Sequence, residues 1–163
     1  MDETIDPVDG FWTFALRIYA LPEVAAQMLD WQERRGANVN LALLCLWAAE
    51  RGRSLDRAAC DRAERAIAGW HAAAVAPLRG LRRRLKADWA GLARTAEPTR
   101  HAVLAAELEA ERAEQALLLS ALAPWPAPEA RRSPIRPLAR ANLLAYLGRA
   151  AAAEIDALLD AVG

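Results

Sequence analysis

Residues 39–50 read VNLALLCLWAAE. Leu41, Leu43, Leu44, Leu46 and Trp47 within them point in nearly every direction around a helical wheel, and a helix that is apolar all round belongs at the centre of a bundle. The strongly apolar part, residues 41–49, is nine residues long, whereas a membrane span needs roughly 20. The stretch therefore predicts a buried core helix and no membrane span. Asn38 or Asn40 can cap its start, and Glu50-Arg51-Gly52 closes it. The rest of the chain agrees with a helical reading: 40 Ala and 24 Leu stand among 163 residues, against only 6 Val, 5 Ile and 4 Thr. Strands usually need the β-branched residues that are scarce here. With 55% hydrophobic residues in a chain of this length, one all-α domain can bury a substantial core.

Two short helices precede the central one. Asp9 is a candidate N-cap before Phe11, Phe14, Ala15, Ile18 and Tyr19, which share a helical face ending near Leu21-Pro22. Pro22 suits the first turn of the next helix, Glu23 complements its dipole, and Val24, Met28 and Trp31 repeat at helical spacing until Arg34-Arg35-Gly36. Downstream, from Ser54 as N-cap, an apolar pattern runs through Ala63, Ile67, Trp70, Leu78, Leu85, Trp89 and Leu92. Pro77 interrupts it, so a kink or short break is expected near residues 74–76. A further helix starts at Glu97-Pro98-Thr99, with Val103, Leu104, Leu108, Leu117, Leu118 and Leu122 as its apolar side and Glu107, Glu109, Glu111 and Glu114 as its acidic one. It should lie antiparallel to its predecessor, making residues 54–122 a long kinked hairpin. Residues 123–137, APWPAPEARRSPIRP, hold five prolines and read as an extended connector anchored by Trp125. A last helix is expected over residues 138–161. The predicted architecture is thus a single-domain, all-α bundle of five to six helices.

The zero net charge conceals a segregation. Residues 1–50 sum to −5, residues 51–100 to +7, residues 101–122 to −3 and the remainder to +1, in a chain with 20 Arg and one Lys. The basic peak is Arg79, Arg82, Arg83, Arg84 and Lys86, broken by Leu81 and Leu85, which has the form of an amphipathic basic helix. Three readings compete for it: a solvated face partly neutralised by residues Glu107 to Glu114, a phosphate-backbone binder, or a dock for an acidic protein surface. Trp89 alone is no stacking platform for single strands.

Residues with catalytic chemistry are sparse, and no catalytic, metal-ligating or cofactor-binding residue is assigned. Neither His71 nor His101 sits in an H-E-x-x-H or E-x-x-H arrangement that would place metal ligands on one helical face, and both read as ordinary surface or interface histidines. No serine has a nucleophile-elbow context, and there is no G-x-G-x-x-G or Walker loop. Cys45 and Cys60 lack C-x-x-C spacing and read as reduced, Cys45 as core packing. The acidic opening MDETIDPVDG has no basic start or apolar run of a secretory signal, so a cytoplasmic location is expected.

Six tryptophans are many beside two Phe and two Tyr. Most occupy core positions, but Trp12, Trp31 and Trp47 could instead line a shared pocket or partner groove, with Arg17, Asn38 and Asn40 as its polar convergence points.

The N-terminal residues carry an ordered set of motifs: Phe11-Trp12-x-Phe14-Ala15, then Tyr19-x-x-Pro22-x-Val24, then Leu29-x-x-Gln32-x-x-x-Gly36-x-x-Val39-Asn40-Leu41, then Leu46-Trp47. This signature, over residues 10–52, resembles the opening of an uncharacterised family of small helical proteobacterial proteins, a domain of unknown function. The resemblance implies a soluble helical protein without assigned activity and marks Trp12, Tyr19, Pro22, Gly36, Asn38, Asn40 and Trp47. Gly36 as a helix C-cap and Pro22 as a first-turn residue also serve the fold alone.

The leading expectation is a non-enzymatic helical adaptor or regulatory protein that binds another protein through the Trp-rich module, the Arg-rich helix or both. The alternatives are nucleic-acid or ribosome association through residues 79–86, and a small-ligand binder or enzyme with a site near Asn38 and Asn40.

Overall fold

A computed structural model describes residues 6–126 and 134–163. They form α1 (Pro7–Tyr19), α2 (Pro22–Arg35), α3 (Val39–Glu50), α4 (Arg57–Trp70), a π-turn (His71–Val75), α5 (Ala76–Ala87), a 3-10 turn (Ala90–Leu92), α6 (Ala93–Ala121), α7 (Ile135–Leu147), a second 3-10 turn (Arg149–Ala151) and α8 (Ala152–Val162). There is no strand among the described residues. The all-α bundle is as expected, and among the described residues no helix is long and apolar enough to cross a membrane.

The centre is α3. Every residue from Asn40 to Ala49 is buried, because α1, α2, α4, α6 and α7 all pack against this one helix. On one side Trp47 packs between Phe11, at 5.3 Å between ring centroids, and Trp125, at 4.9 Å, with the rings tilted by 37° and 57°. Trp125 anchors the start of the connector: its indole N–H donates to the Leu119 carbonyl at 2.9 Å and the Arg53 guanidinium lies 4.3 Å over its ring. The rest of the predicted extended connector, residues 127–133, lies outside the described residues, as do residues 1–5 of the acidic opening.

Fully buried Asn142 ties α7 to the loop after α3. Its amide accepts from the Leu55 N–H at 2.8 Å and donates to the carbonyls of Cys45 and Arg53 at 3.1 and 3.0 Å. A polar side chain in a core costs little when every polar atom is paired. On the opposite side Trp31, also fully buried, donates to Glu154 at 2.7 Å, and Arg35 reaches the same carboxylate at 2.9 Å, locking α2 to α8. The Arg35 bond is the main reason the Glu154 carboxyl sits below its ordinary range. Cys45 and Cys60 are both buried and neither is in a disulfide. Their mutual hydrogen bond raises the Cys45 thiol, with burial acting in the same direction, and lowers that of Cys60 against the opposing effect of burial.

Several expected boundaries move. The cap of α1 is Asp6, which accepts from the Val8 N–H with Pro7 opening the helix, so Asp9 falls inside its first turn. The cap of α4 is Asp56, accepting from Ala59 at 2.7 Å, and not Ser54. Helix α6 starts at Ala93, ahead of Glu97. Pro98 therefore lies inside the helix, as its sixth residue, where it cannot donate to the Arg94 carbonyl. The single C-terminal helix is two, divided at Gly148, whose φ of +84° L side chains rarely adopt.

The Pro77 interruption is resolved without a break. Proline cannot donate to the carbonyl four residues back and crowds it, so the helix widens just before it. The Ala76 N–H bonds five residues back to the His71 carbonyl, and α4, the π-turn and α5 continue as one rod antiparallel to α6. Counted this way there are seven helical rods among the described residues, the split at Gly148 supplying the one beyond the expectation. Beyond α5 the apolar pattern does not hold: Trp89 and Leu92 are each 52% exposed.

Candidate functional site

Helix α6 carries Glu107, Glu111 and Glu114 on one face, at spacings of four and three residues. That face turns inward, toward α3 and the α4–α5 rod. Glu107 and Glu114 are buried, whereas Leu104, Leu108 and Leu117 on the expected apolar side are 38–39% exposed. The inward carboxylates meet two kinds of neighbour.

Toward the α5 end they meet arginines. Arg79 reaches Glu107 at 3.3 Å and Glu111 at 2.7 Å, and Arg82 forms a bidentate pair with Glu107. Arg79 also donates to Gln32 of α2 at 2.5 Å. Two of the five basic candidates are thus neutralised internally. Arg83 stands 3.9 Å from Glu33 and is half exposed, and Arg84 and Lys86 are exposed. Burial pushes the Glu111 carboxyl up, more than the Arg79 hydrogen bond pulls it down.

At the other end Glu114 is completely buried. One oxygen accepts from Asn38 at 2.8 Å and from Asn40 at 3.0 Å. The other faces His71 Nδ1 at 2.8 Å. A carboxylate only accepts, so the imidazole N–H sits on Nδ1, and Nε2 has no partner among the described residues. The His71 side chain is about one-third exposed and occupies the first position of the π-turn. Widened turns of this kind are frequent at functional sites. His71 borders a cleft of about 540 Å3 between α2, α4 and α5, lined also by Gln32, Asn38, Glu64, Arg79 and Arg83. His71 is thus held through Nδ1 by a buried carboxylate and borders the cleft, a geometry in which an imidazole can accept and return a proton.

The asparagines are explained by the same cluster. Asn38 is the cap of α3, its carbonyl oxygen accepting from the Leu41 N–H at 3.0 Å, while its amide nitrogen donates to Glu114. The Tyr146 hydroxyl accepts the Asn38 backbone N–H at 2.7 Å, and burial pushes that phenol well above its usual range. Asn40 lies inside α3, bridging Glu114 and Gln115.

The expected convergence of Trp12, Trp31 and Trp47 does not occur, because they sit on three helices facing three different neighbours. Trp31 and Trp47 are spent on Glu154 and on the aromatic cluster. Arg17 pairs with Glu50 at 3.2 Å and lines another cleft beside α7 and α8. Only Trp12 borders a cleft shared with Asn40. His101 is exposed, 3.5 Å from Glu97. Among the described residues no group of three or more His, Cys, Asp or Glu side chains is disposed to hold a metal ion.

His71, Glu114 and Gln115 were not singled out from sequence as site residues. The available signals were a Glu-Gln pair opening a leucine run at residues 114–119 and a histidine six residues ahead of a helix-interior proline.

Fold and site together define an all-α protein organised around a buried carboxylate–histidine pair. The chain belongs to the family described as Protein of unknown function (DUF2390), whose model matches residues 10–118. That span takes in the signature helices and both members of the pair. No curated protein and no solved structure matches the chain.

Proposed function

We propose that this protein binds a small polar molecule in the cleft between α2, α4 and α5 and exchanges a proton with it at His71 Nε2. The observation that carries this reading is Glu114, fully buried, accepting the Nδ1–H of a partly exposed histidine. Such a pair orients the ring, selects the tautomer and stabilises the imidazolium that forms when Nε2 takes a proton. Asn38 and Asn40 are positioning residues that hold the carboxylate, and Arg83 at the rim offers a cation to an anionic group of the ligand. This is the small-ligand alternative with the site near Asn38 and Asn40. The adaptor and nucleic-acid readings have less support, since Arg79 and Arg82 are occupied by Glu107 and Glu111.

Glu114→Gln provides the test. The amide would present an N–H to His71 Nδ1, so the ring should swap tautomer and carry its proton on Nε2, visible as exchanged 15N shifts of the imidazole. Polar metabolites retained by the wild-type protein in ultrafiltration and identified by mass spectrometry should be lost at least tenfold with this variant and with His71→Ala. Retention of the same compounds by a variant whose tautomer has swapped, or of none by the wild type, would overturn the reading.

A further inference from the structure

The outer end of the α5–α6 hairpin is built unlike the rest of the molecule. Helix α5 has no buried residue and packs chiefly against α6 and the turns at its own two ends. Where the 3-10 turn Ala90–Leu92 leads into α6, Trp89 and Leu92 are the most exposed large apolar side chains among the described residues, at 52% each. Leu81, one turn before Leu85 on α5, is exposed as well. The indole N–H groups of Trp31, Trp70 and Trp125 each donate to a carboxylate or a carbonyl. That of Trp89 has no partner among the described residues.

Cations accompany these side chains. Residues 83–94 hold Arg83, Arg84, Lys86 and Arg94 against the single acid Asp88. Arg84, Lys86 and Arg94 are exposed and make no ion pair among the described residues, unlike Arg79 and Arg82, which Glu111 and Glu107 hold. The next acid along the chain, Glu97, is taken by Arg100. Neutrality of the whole chain thus leaves a local positive excess at the one place where a Trp and a Leu stand in water. None of Leu81, Arg84, Lys86, Trp89, Leu92 and Arg94 lines the His71 cleft, so this end of the hairpin does not depend on the function proposed there.

Exposed apolar groups rimmed by charge mark a surface that something covers. A nucleic-acid backbone would engage the cations and leave Trp89 and Leu92 wet, and one indole is no platform for single strands. An amphipathic helix of a partner protein needs an apolar groove to enter, whereas this is the outer end of a two-helix hairpin. A bilayer surface accepts such an end: indoles rest at headgroup level, leucines reach the acyl boundary, and Arg and Lys lie against lipid phosphates. We infer that the end of the α5–α6 hairpin docks on an anionic lipid bilayer, with Trp89 and Leu92 inserted at the interface and Arg84, Lys86 and Arg94 against the headgroup phosphates. Two apolar side chains and three cations make a reversible contact on the membrane surface, not a span across it.

Vesicles of phosphatidylcholine, alone or with about one-third phosphatidylglycerol, are the probes, mixed with the full chain and sedimented. The anionic vesicles should bind the chain at least about tenfold more tightly than the neutral ones, and the difference should fade with added salt. Lipid brominated on its acyl chains, carried in the anionic vesicles, should quench tryptophan emission of the wild type, and that quenching should be lost in Trp89→Phe. Trp89→Ser combined with Leu92→Ser, and Arg84→Gln combined with Lys86→Gln, should each weaken binding to the anionic vesicles at least about tenfold. Binding indifferent to lipid charge, binding that survives the loss of Trp89 and Leu92, quenching undiminished in Trp89→Phe, or no vesicle binding at all would overturn the inference. Retention on RNA without vesicle binding would overturn it in favour of a nucleic-acid partner. The substituted side chains are exposed, so the fold should persist, and the response of the wild type to lipid charge and to bromine decides the matter if a variant does not fold.

Discussion

The two ends of the inward face of α6 solve one problem differently. At the α5 end, Glu107 and Glu111 meet guanidinium groups whose side chains are 16% and 32% exposed. At the α3 end, Glu114 is sealed from water among two amides and an imidazole. The arginine end neutralises charge where water can still assist; the amide end holds a carboxylate where every lone pair must be satisfied by geometry. The first arrangement is a fastening between two helices of the hairpin. The second holds His71 at the border of a cleft and converges three elements on a single carboxylate.

Removing Glu114 should therefore have the largest effect. Glu114→Ala strands buried donors from Asn38, Asn40 and His71, and breaking a buried charged cluster from one side costs about 3–5 kcal/mol. Urea unfolding should show the midpoint falling accordingly. Glu107→Ala leaves Arg79 with Glu111 and Gln32, and leaves Arg82 able to turn toward solvent, so a smaller loss of about 1–2 kcal/mol is expected in the same assay. Equal losses in the two variants would erase the distinction between the ends.

The arginine end was legible in the sequence and the amide end was not. Segment charges of +7 over residues 51–100 and −3 over 101–122, together with a short connection, supported one of the three readings, a basic face partly neutralised by Glu107 to Glu114, without saying which arginines pair. VNLALLCLWAAE likewise announced the central helix, since no face of it could be left wet. Glu114, by contrast, sits on a helix whose leucines suggested that its carboxylates faced out, and periodicity assigns faces by hydrophobicity alone. Exposed leucines are ordinary on protein surfaces; the informative event is a buried polar group. Its partners lie 76, 74 and 43 residues away, beyond the reach of any local spacing rule. The Asn38 cap was visible because it acts within its own turn, whereas its amide bond to Glu114 was not. Trp12, Trp31 and Trp47 misled for the same reason: three indoles on successive helices, two of them in the core, say nothing about which neighbour each will face.

Glu111 lies between the two ends and refines the comparison, with the smallest expected effect. Burial is the largest influence on its carboxyl and outweighs Arg79, so its folded pKa lies above the ordinary glutamate value of 4.5. A carboxyl raised on folding binds its proton more tightly in the native state than in the unfolded chain, so its contribution is most favourable below 4.5 and declines as the pH rises through the folded value. Replacing it by Gln removes that dependence. The stability of Glu111→Gln relative to the wild type should therefore improve as the pH is raised from about 4 to 7, by less than about 1 kcal/mol for a group that remains partly exposed, read from urea midpoints at each pH. A relative stability that falls over this interval would mean that Arg79 dominates after all, and that Glu111 belongs with the fastening end and not between the two.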